Sequence, residues 1–275
     1  MTAHPKVTLV TCKSMPNLFK GEEGLLDELA ARGCDPQIKV WNDPDVDWSE
    51  AGMVVVRSVS DYASDRPAFL EWTKQLRRVQ NSADVLNWNT DKHYLKELAA
   101  LGMPTIPTNW LEPEQNLSKH QIHTRFPAFG EFVVKPAVSS GVRDIGRYTT
   151  VDTRQRQAAM RQVQGLLGEG RSVMIQRYVE EIDLHGEISL VFFNGLVSHA
   201  VEKRSALHPS SVSDPSAHEA VVTAEAADSV AWKWGEEIRR VLHGYVRSRL
   251  GHDEQFLFNR VDLVPDGKGS FLVME

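Results

Sequence analysis

The chain has 275 residues, 41% of them hydrophobic and 25% charged, and carries a formal net charge of −6. This length and composition predict a globular protein with two or three subdomains and argue against a disordered chain. The negative charge gives no general basic surface for nucleic acid, and no apolar stretch is long enough for a membrane span, so neither partner is expected.

The N-terminal segment, residues 1–88, alternates between strands and helices. The spacing predicts strands over residues 6–11, 37–41 and 53–57, and helices over residues 21–32 and 67–79, the second with proline in its first turn. Such alternation indicates an α/β domain whose parallel sheet is covered on both faces.

The rest of the chain is predicted as three further parts: a linker region over 89–130, a central lid subdomain over 131–180 and an antiparallel C-terminal subdomain over 181–275. A helix is expected over 90–102 and a short strand in MPTIPTNW. Further strands are expected over 132–135, 147–150, 173–178, 187–193, 196–202, 256–264 and 270–275, with helices over 153–167 and 224–250. The pair Asn194-Gly195 indicates a β-hairpin.

The two cysteines, Cys12 and Cys34, favour a reducing cytoplasm over secretion, and no signal peptide is identified. Cys12 follows a strand and is interpreted as a small buried side chain rather than a nucleophile.

Lys135 closes the apolar strand FVVK and is followed by a loop with Ser139, Ser140 and Gly141. The lysine and the loop amides suit phosphate oxygens, although an edge lysine that reaches water would give the same pattern. Lys92, in NTDK near a helix start, is a weaker candidate for the same phosphates.

The segment VMIQRYVEEID leads from an apolar strand into acidic residues, and Glu187 opens the next strand. This arrangement suits a purine edge and ribose hydroxyls, and it equally suits a surface hairpin with ordinary acidic residues.

Arg260 and Asp262 lie two residues apart on one predicted strand and therefore face the same way. Glu275 lies on the strand after a turn. Two carboxylates that meet in a sheet need a cation, and Mg²⁺ with a nucleotide phosphate is the natural one. Arg260 would then contact the transferred phosphoryl group. Ordinary strand salt bridges remain the alternative for any single residue.

Polar side chains also follow the third strand in VRSVSDYASDR, at the carboxyl end where α/β sheets place their sites. The candidates for reading an amino-acid substrate are Arg57, Ser58, Asp61, Tyr62 and Arg66, with Lys13 and Ser14 after the first strand. For Asp61 and Arg66, a solvated turn is an equally good interpretation.

Taken in order, NTDK, EFVVKP, VMIQRYVEEID, GEISLVFFNG, HAVEKR, NRVDLV and LVME resemble the ATP-grasp ligases of the glutathione synthetase and ribosomal-protein glutamate ligase type, from about residue 81 onward. The resemblance implies that Lys92 and Lys135 bind ATP phosphates and that Asp262 and Glu275 hold Mg²⁺. It places Gln176, Tyr178 and Val179 at the adenine and Glu187 at the ribose.

The resemblance also implies that Lys203 or Arg204 lies near the phosphates or the substrate. The phosphate loop AVSSGVRDIG has less glycine than is usual in the family, and Arg143 is an additional contact there. The third metal ligand of the family falls two residues after the glutamate, so the natural protein is expected to continue past Glu275.

The implied reaction is phosphorylation of a small amino-acid-like carboxylate by ATP, followed by attack of a nitrogen to form an amide. The compact size and the segment RSVSDY are similar to the ring-closing members that convert O-ureido-D-serine to D-cycloserine. An intermolecular amino-acid or dipeptide ligase and a non-catalytic nucleotide-binding regulator remain alternatives. Dimers are common in such folds, but no residue pattern here decides whether the chain forms a homo-oligomer.

Overall fold

The computed structural model describes residues 4–19, 21–22, 24–203, 207 and 229–275. Contacts between Cα atoms divide the chain into two units. The first comprises Met1–Thr90 and Glu254–Leu257, and the second comprises Asp91–Asp253 and Phe258–Glu275.

The first unit contains a four-stranded parallel sheet with the order β2-β1-β3-β4. Its elements are β1 (Lys6–Thr11), α1 (Gly24–Ala31), β2 (Asp35–Val40), β3 (Met53–Ser58), α2 (Arg66–Lys74), β4 (Val79–Gln80) and α3 (Ala83–Asn89). Leu9 packs on one face against Leu25, while Val10 packs on the other against Phe69 and Trp72. The prediction of a parallel sheet covered on both faces is confirmed.

The helix predicted over residues 67–79 was wrong at its C-terminal end. Helix α2 ends at Lys74, and Val79 belongs to β4, where it lies opposite Val54 in parallel register. Pairing with the neighbouring strand outweighed the helical spacing of the apolar residues. Helix α3 was not predicted, although Ser82 caps it by accepting a hydrogen bond from the Val85 N–H (3.3 Å).

The segment Glu254–Leu257 joins the first unit although it is far away in sequence. The Leu257 N–H donates to Asn81 Oδ1 (2.9 Å), and the Ser82 N–H donates to Glu254 Oε1 (3.3 Å). The predicted boundary at residue 88 did not include this segment.

The second unit contains two four-stranded antiparallel sheets. The first has the order β5-β8-β6-β7. Its elements are β5 (Thr108–Leu111), α5 (Lys119–His123), β6 (Glu131–Pro136), β7 (Gly146–Thr149), α6 (Thr153–Gly168) and β8 (Val173–Arg177). Phe132 and Val134 of β6 pack against Ala159 and Val163 of α6, and this apolar contact holds the helix on the sheet.

The second sheet of this unit has the order β10-β9-β11-β12. Its elements are α4 (Tyr94–Ala100), α7 (Glu181–His185), β9 (Glu187–Phe193), β10 (Leu196–Lys203), α8 (Ser229–Leu250), β11 (Phe258–Pro265) and β12 (Phe271–Val273). The hairpin predicted at Asn194-Gly195 is confirmed, since both residues have positive φ, 50° and 74°.

The core of this sheet lies between Leu190 and Phe192 of β9, Leu98 of α4 and Ile238 of α8. Residues 224–228, predicted as the start of the long helix, lie outside the described residues. Within the part of the chain that the structure describes, no helix has the length and apolar character needed to span a bilayer.

Candidate active site

Lys92 is held against the loop that joins β6 to β7. Its side chain is only 7% exposed. Its ammonium donates to the carbonyl oxygen (3.1 Å) and hydroxyl (3.0 Å) of Ser139, and its backbone N–H donates to the Ala137 carbonyl (3.0 Å). The two phosphate candidates predicted in separate segments, Lys92 and Ser139, are therefore in direct contact.

Lys135, at the end of β6, is buried and faces Glu275. The distance from its Nζ to Glu275 Oε1 is 3.9 Å, and the same oxygen lies 3.5 Å from Lys92 Nζ. Burial lowers the pKa of Lys135, and the neighbouring Lys92 lowers it further, while Glu275 and Glu187 oppose the shift. Two cations thus converge on one carboxylate, where further negative charge would be stabilised.

Asp262 on β11 is buried and has three polar partners. Arg260 donates from Nε and from a terminal nitrogen to its two carboxylate oxygens, both at 2.7 Å, and the Ser189 hydroxyl donates at 2.6 Å. Lys203 Nζ lies 3.7 Å away. Burial alone would raise the pKa of Asp262, but Arg260 and Lys203 outweigh it and lower the pKa, so the carboxylate stays ionised.

Glu187 is a third carboxylate near this cluster. Burial raises its pKa to about 7, and the charges of Asp262 and Glu275 add to the shift, while Lys203 and Lys135 oppose it. These four charged groups therefore lie near enough to Glu187 to influence its pKa.

Asp262 of β11 and Glu275, which follows β12, lie next to each other. The Asp262 N–H donates to the Glu275 carbonyl (2.7 Å), and the Met274 N–H donates to the Asp262 carbonyl (2.8 Å). Among the described residues, no group of three or more His, Cys, Asp or Glu side chains could hold a metal ion. Two carboxylates nevertheless fit Mg²⁺, which is commonly held by one or two of them with phosphate and water.

Residues predicted at the adenine lie at and after the end of β8. The Gln176 amide donates to Thr108 Oγ1 (2.8 Å) on β5, so this side chain is fixed within the sheet. Tyr178 and Val179 pack instead against an apolar cluster that includes Ile106 and Val264. Tyr178 and Val179 are therefore half-buried after the end of β8, and Gln176 is held by a contact within the sheet.

A contact that the sequence did not suggest fixes Tyr178. The Arg147 guanidinium lies 3.6 Å from the centre of the Tyr178 ring, and the phenol donates to Asp183. Arg147 also pairs with Glu131 and with Asp183, the latter at 2.8 Å. This network links β6, β7 and the segment after β8, and no motif in the sequence signals it.

The other predicted residues of this region differ in exposure. Gly141 and Arg143 are exposed and Ser140 is half-buried, all in the turn between β6 and β7. Lys203 is in the Asp262 cluster, whereas Arg204, its alternative, lies outside the described residues.

The predicted substrate residues Arg57 and Ser58 end β3 in the first unit. Arg57 forms an ion pair with Glu22, and the Ser58 hydroxyl donates to the same carboxylate (2.6 Å). Ser58 also accepts a hydrogen bond from the Phe19 N–H (2.9 Å). Glu22, which the sequence did not single out, therefore sits where a substrate carboxylate was expected.

The remaining substrate candidates lie at the same end of this sheet. Asp61 accepts a hydrogen bond from Trp41 Nε1 (2.7 Å), and Tyr62 packs near Phe69 with ring centres 5.7 Å apart. Lys13 is exposed. Arg66 instead donates to Thr90 Oγ1 (2.9 Å), which supports a structural role for it.

Comparisons with known proteins identify the family to which the chain belongs. The sequence is 32% identical over 259 residues to the cycloserine biosynthesis protein DcsG of Streptomyces lavendulae, covering 91% of this chain and 83% of that protein. The chain belongs to the D-cycloserine synthetase family of ATP-grasp ligases. Residues 7–87 match the family described as D-cycloserine synthetase DcsG, N-terminal domain.

Solved structures give the same result. The crystal structure of D-cycloserine synthetase DcsG matches with a TM-score of 0.82 and 30% identity, over 98% of this chain and 90% of that one. A D-alanine–D-alanine ligase from Bacillus anthracis, complexed with ATP, matches with a TM-score of 0.60 and 15% identity, over 98% and 85% of the two chains. The second match shows the ATP-grasp fold alone.

As a member of the D-cycloserine synthetase family, the chain is an ATP-dependent ligase. The prediction of an ATP-grasp enzyme is confirmed, and the alternative of a non-catalytic regulator is not supported. The roles of individual residues remain predictions.

Proposed function

We propose that this enzyme closes O-ureido-D-serine into the ring of D-cycloserine, using ATP and Mg²⁺. The observation that supports this most is the 30% identity to D-cycloserine synthetase DcsG across 98% of the chain. The cluster of Lys92, Lys135, Asp262 and Glu275 supplies the charges that such a reaction requires.

In this proposal, Lys92 and Lys135 bind the phosphates of ATP. Their ammonium groups already face one carboxylate, Glu275, from distances of 3.5 and 3.9 Å. Asp262 and Glu275 would hold Mg²⁺, which neutralises phosphate charge when it is bound. The half-buried side chains of Tyr178 and Val179 are proposed to line the adenine, and Glu187 is proposed for the ribose.

The first chemical step transfers the γ-phosphoryl group to the substrate carboxylate, and ADP leaves. Arg260 and Lys203 lie beside Asp262 and are proposed to stabilise the charge on the transferred group. Arg143, in the exposed turn after β6, is proposed as a further contact to the phosphates or the substrate.

In the second step the nitrogen bonded to oxygen attacks the acyl carbon, and phosphate leaves. This forms the ring amide within one molecule. One water molecule must then hydrolyse the carbamoyl group from that nitrogen, which releases it as carbamate (in turn CO2 and ammonia) and leaves D-cycloserine.

We propose that the substrate is recognised at the carboxyl ends of the parallel strands, by Arg57, Ser58, Asp61, Tyr62 and Lys13. Arg57 suits the substrate carboxylate and Asp61 suits its ammonium group. Because Glu22 pairs with Arg57, a substrate carboxylate would have to share or replace that contact.

The two free cysteines support a cytoplasmic location for the enzyme.

The deciding experiment measures ADP release with O-ureido-D-serine, ATP and Mg²⁺, with no second amine present. Ring closure predicts ADP and a cyclic product in equal amounts, and hydroxylamine should trap the acyl phosphate. Release of ADP that depends on an added amino acid would favour an intermolecular ligase instead. No turnover with any carboxylate in a panel of D- and L-amino acids would refute the substrate class.

A further inference from the structure

The residue after Lys92 has an unusual set of neighbours. Both ring nitrogens of His93 meet carboxylates: Nδ1 lies 2.6 Å from Asp91 Oδ1, and Nε2 lies 3.1 Å from Glu112 Oε1. The ring stacks on Trp110 of β5, with centres 4.6 Å apart and planes at 27°. His93 therefore joins the turn before α4 to the end of β5.

The groups that face this ring are mostly acidic. Asp91 approaches from the same turn, and Glu112 approaches from the residue after β5. Lys96 of α4 lies 2.9 Å from the same Glu112 oxygen. Burial alone would raise the pKa of Glu112, but hydrogen bonds from Ser172, Lys96 and His93 hold it at about 2, so it remains a carboxylate.

Two simultaneous hydrogen bonds to carboxylates require a protonated ring. A neutral imidazole carries one N–H and can donate to only one of them, whereas the imidazolium donates to both. The hydrogen bond to Asp91 raises the pKa of His93, burial opposes the shift, and Glu112 raises it again. The turn before α4 and the end of β5 are therefore joined by both hydrogen bonds of His93 only when the ring is protonated.

Lys92 lies between this link and the phosphate loop. Its N–H donates to the Ala137 carbonyl (3.0 Å) and its carbonyl accepts from the Leu95 N–H (2.9 Å), so its backbone is part of both structures. Its ammonium is directed at Ser139 and Glu275. A shift of the turn that contains His93 would move the Cα atom of Lys92 and, with it, the ammonium group.

We propose that His93 is a positioning residue for Lys92, and that its imidazolium fixes the turn from which Lys92 reaches the nucleotide phosphates. The inference rests on the role proposed above for Lys92. His93 itself contacts Asp91, Glu112 and Trp110 and is not assigned a contact with the nucleotide.

The test is a double-mutant cycle on the dissociation constant of a non-hydrolysable ATP analogue with Mg²⁺. The proteins are the wild type, His93→Gln, Lys92→Met and the double variant. We expect His93→Gln to weaken binding about 3- to 10-fold in the wild-type background, which is the range for loss of one hydrogen bond, and less than about 2-fold in the Lys92→Met background.

The pH dependence of the effect distinguishes positioning of Lys92 from a general contribution of His93 to stability. The effect of His93→Gln should be largest at mildly acidic pH and should decrease as pH rises through the raised pKa of His93, because the neutral ring keeps only one of its two N–H donors. Titration of Glu187, which has a pKa of about 7, is common to all four proteins and cancels in the cycle. The matched control is His120→Gln, because His120 is an exposed histidine on α5 of the same unit.

The outcomes separate the two proposals. If Lys92→Met alone leaves the dissociation constant unchanged, the role of Lys92 fails. If Lys92→Met weakens binding but His93→Gln costs the same factor in both backgrounds, only the role of His93 fails. Should His93→Gln not fold, Glu112→Gln replaces it in the cycle, because it removes the carboxylate at Nε2 and keeps the ring; an equal factor in both backgrounds would again overturn the inference.

Discussion

Arg260 and Asp262 form a two-point ion pair along a single strand, with both nitrogen-to-oxygen distances at 2.7 Å. Alternate residues of a strand point to the same face, so the pair is fixed by the backbone of β11. A cation at Asp262, as proposed, would have to share this carboxylate with Arg260, so metal binding and the position of the guanidinium would be coupled.

Asp262→Asn is expected to reduce turnover at least 100-fold, because the side chain keeps its shape and loses the charge that balances Arg260 and Lys203. ADP release with Mg²⁺, ATP and substrate measures the effect, and thermal unfolding followed by circular dichroism checks that the fold survives. Asp253→Asn, at an exposed position, is the control and should leave the rate unchanged. Wild-type rates in Asp262→Asn would remove the metal assignment.

Lys135→Met should raise the KM for ATP and lower kcat together, because the lysine is proposed to bind phosphates both before and during transfer. Methionine fills a similar volume, so the packing around this buried position is kept. Steady-state kinetics with varied ATP measures the change. Lys119→Met, on the surface of α5, is the matched substitution for comparison. Equal KM and kcat in the Lys135 and Lys119 variants would contradict the assignment.

The free energy of unfolding should fall as pH rises from about 5 to about 8 in the absence of Mg²⁺. Glu187 has its pKa raised to about 7 by burial, so the folded protein binds its proton more tightly than the unfolded chain does, and this stabilisation is lost as the carboxyl ionises. The expected contribution is about 1 to 3 kcal/mol.

Urea unfolding of the wild type and of Glu187→Gln measures this contribution. The variant stays neutral at all pH values, so its stability should depend less on pH, and it should exceed the wild type near pH 8. Glu114→Gln, at an exposed position, serves as the control. An unchanged slope in Glu187→Gln would show that other groups cause the dependence.

Asp61→Asn should raise the KM for the amino-acid substrate about 10-fold and leave the KM for ATP unchanged. The amide oxygen can still accept the hydrogen bond from Trp41, so the change removes the charge proposed to bind the substrate ammonium while the local contact remains. Asp65→Asn is a close control, because Asp65 caps α2 and asparagine caps helices equally well. If the two variants have the same substrate KM, Asp61 does not bind the ammonium group.

The sequence was sufficient for those features that depend on local pattern and order. Lys135 closes an apolar strand, and Arg260 and Asp262 alternate along another, so their positions follow from strand periodicity. Contacts between distant segments were not accessible in this way. Ser189 donates a hydrogen bond to Asp262, which is 73 residues away in sequence, and Glu22 accepts one from the Ser58 hydroxyl, 36 residues away. A serine within a strand and a glutamate in a loop carry no signal of such partners.

The return of Glu254–Leu257 to the first unit has a consequence for protein engineering. Asn81 and Ser82 contact Leu257 and Glu254. A chimera that exchanges residues 1–90 for those of a related ligase would replace the first two residues and keep the last two. To transfer specificity between relatives and keep both hydrogen bonds, the exchange therefore has to include two segments, the N-terminal one and the internal segment Glu254–Leu257.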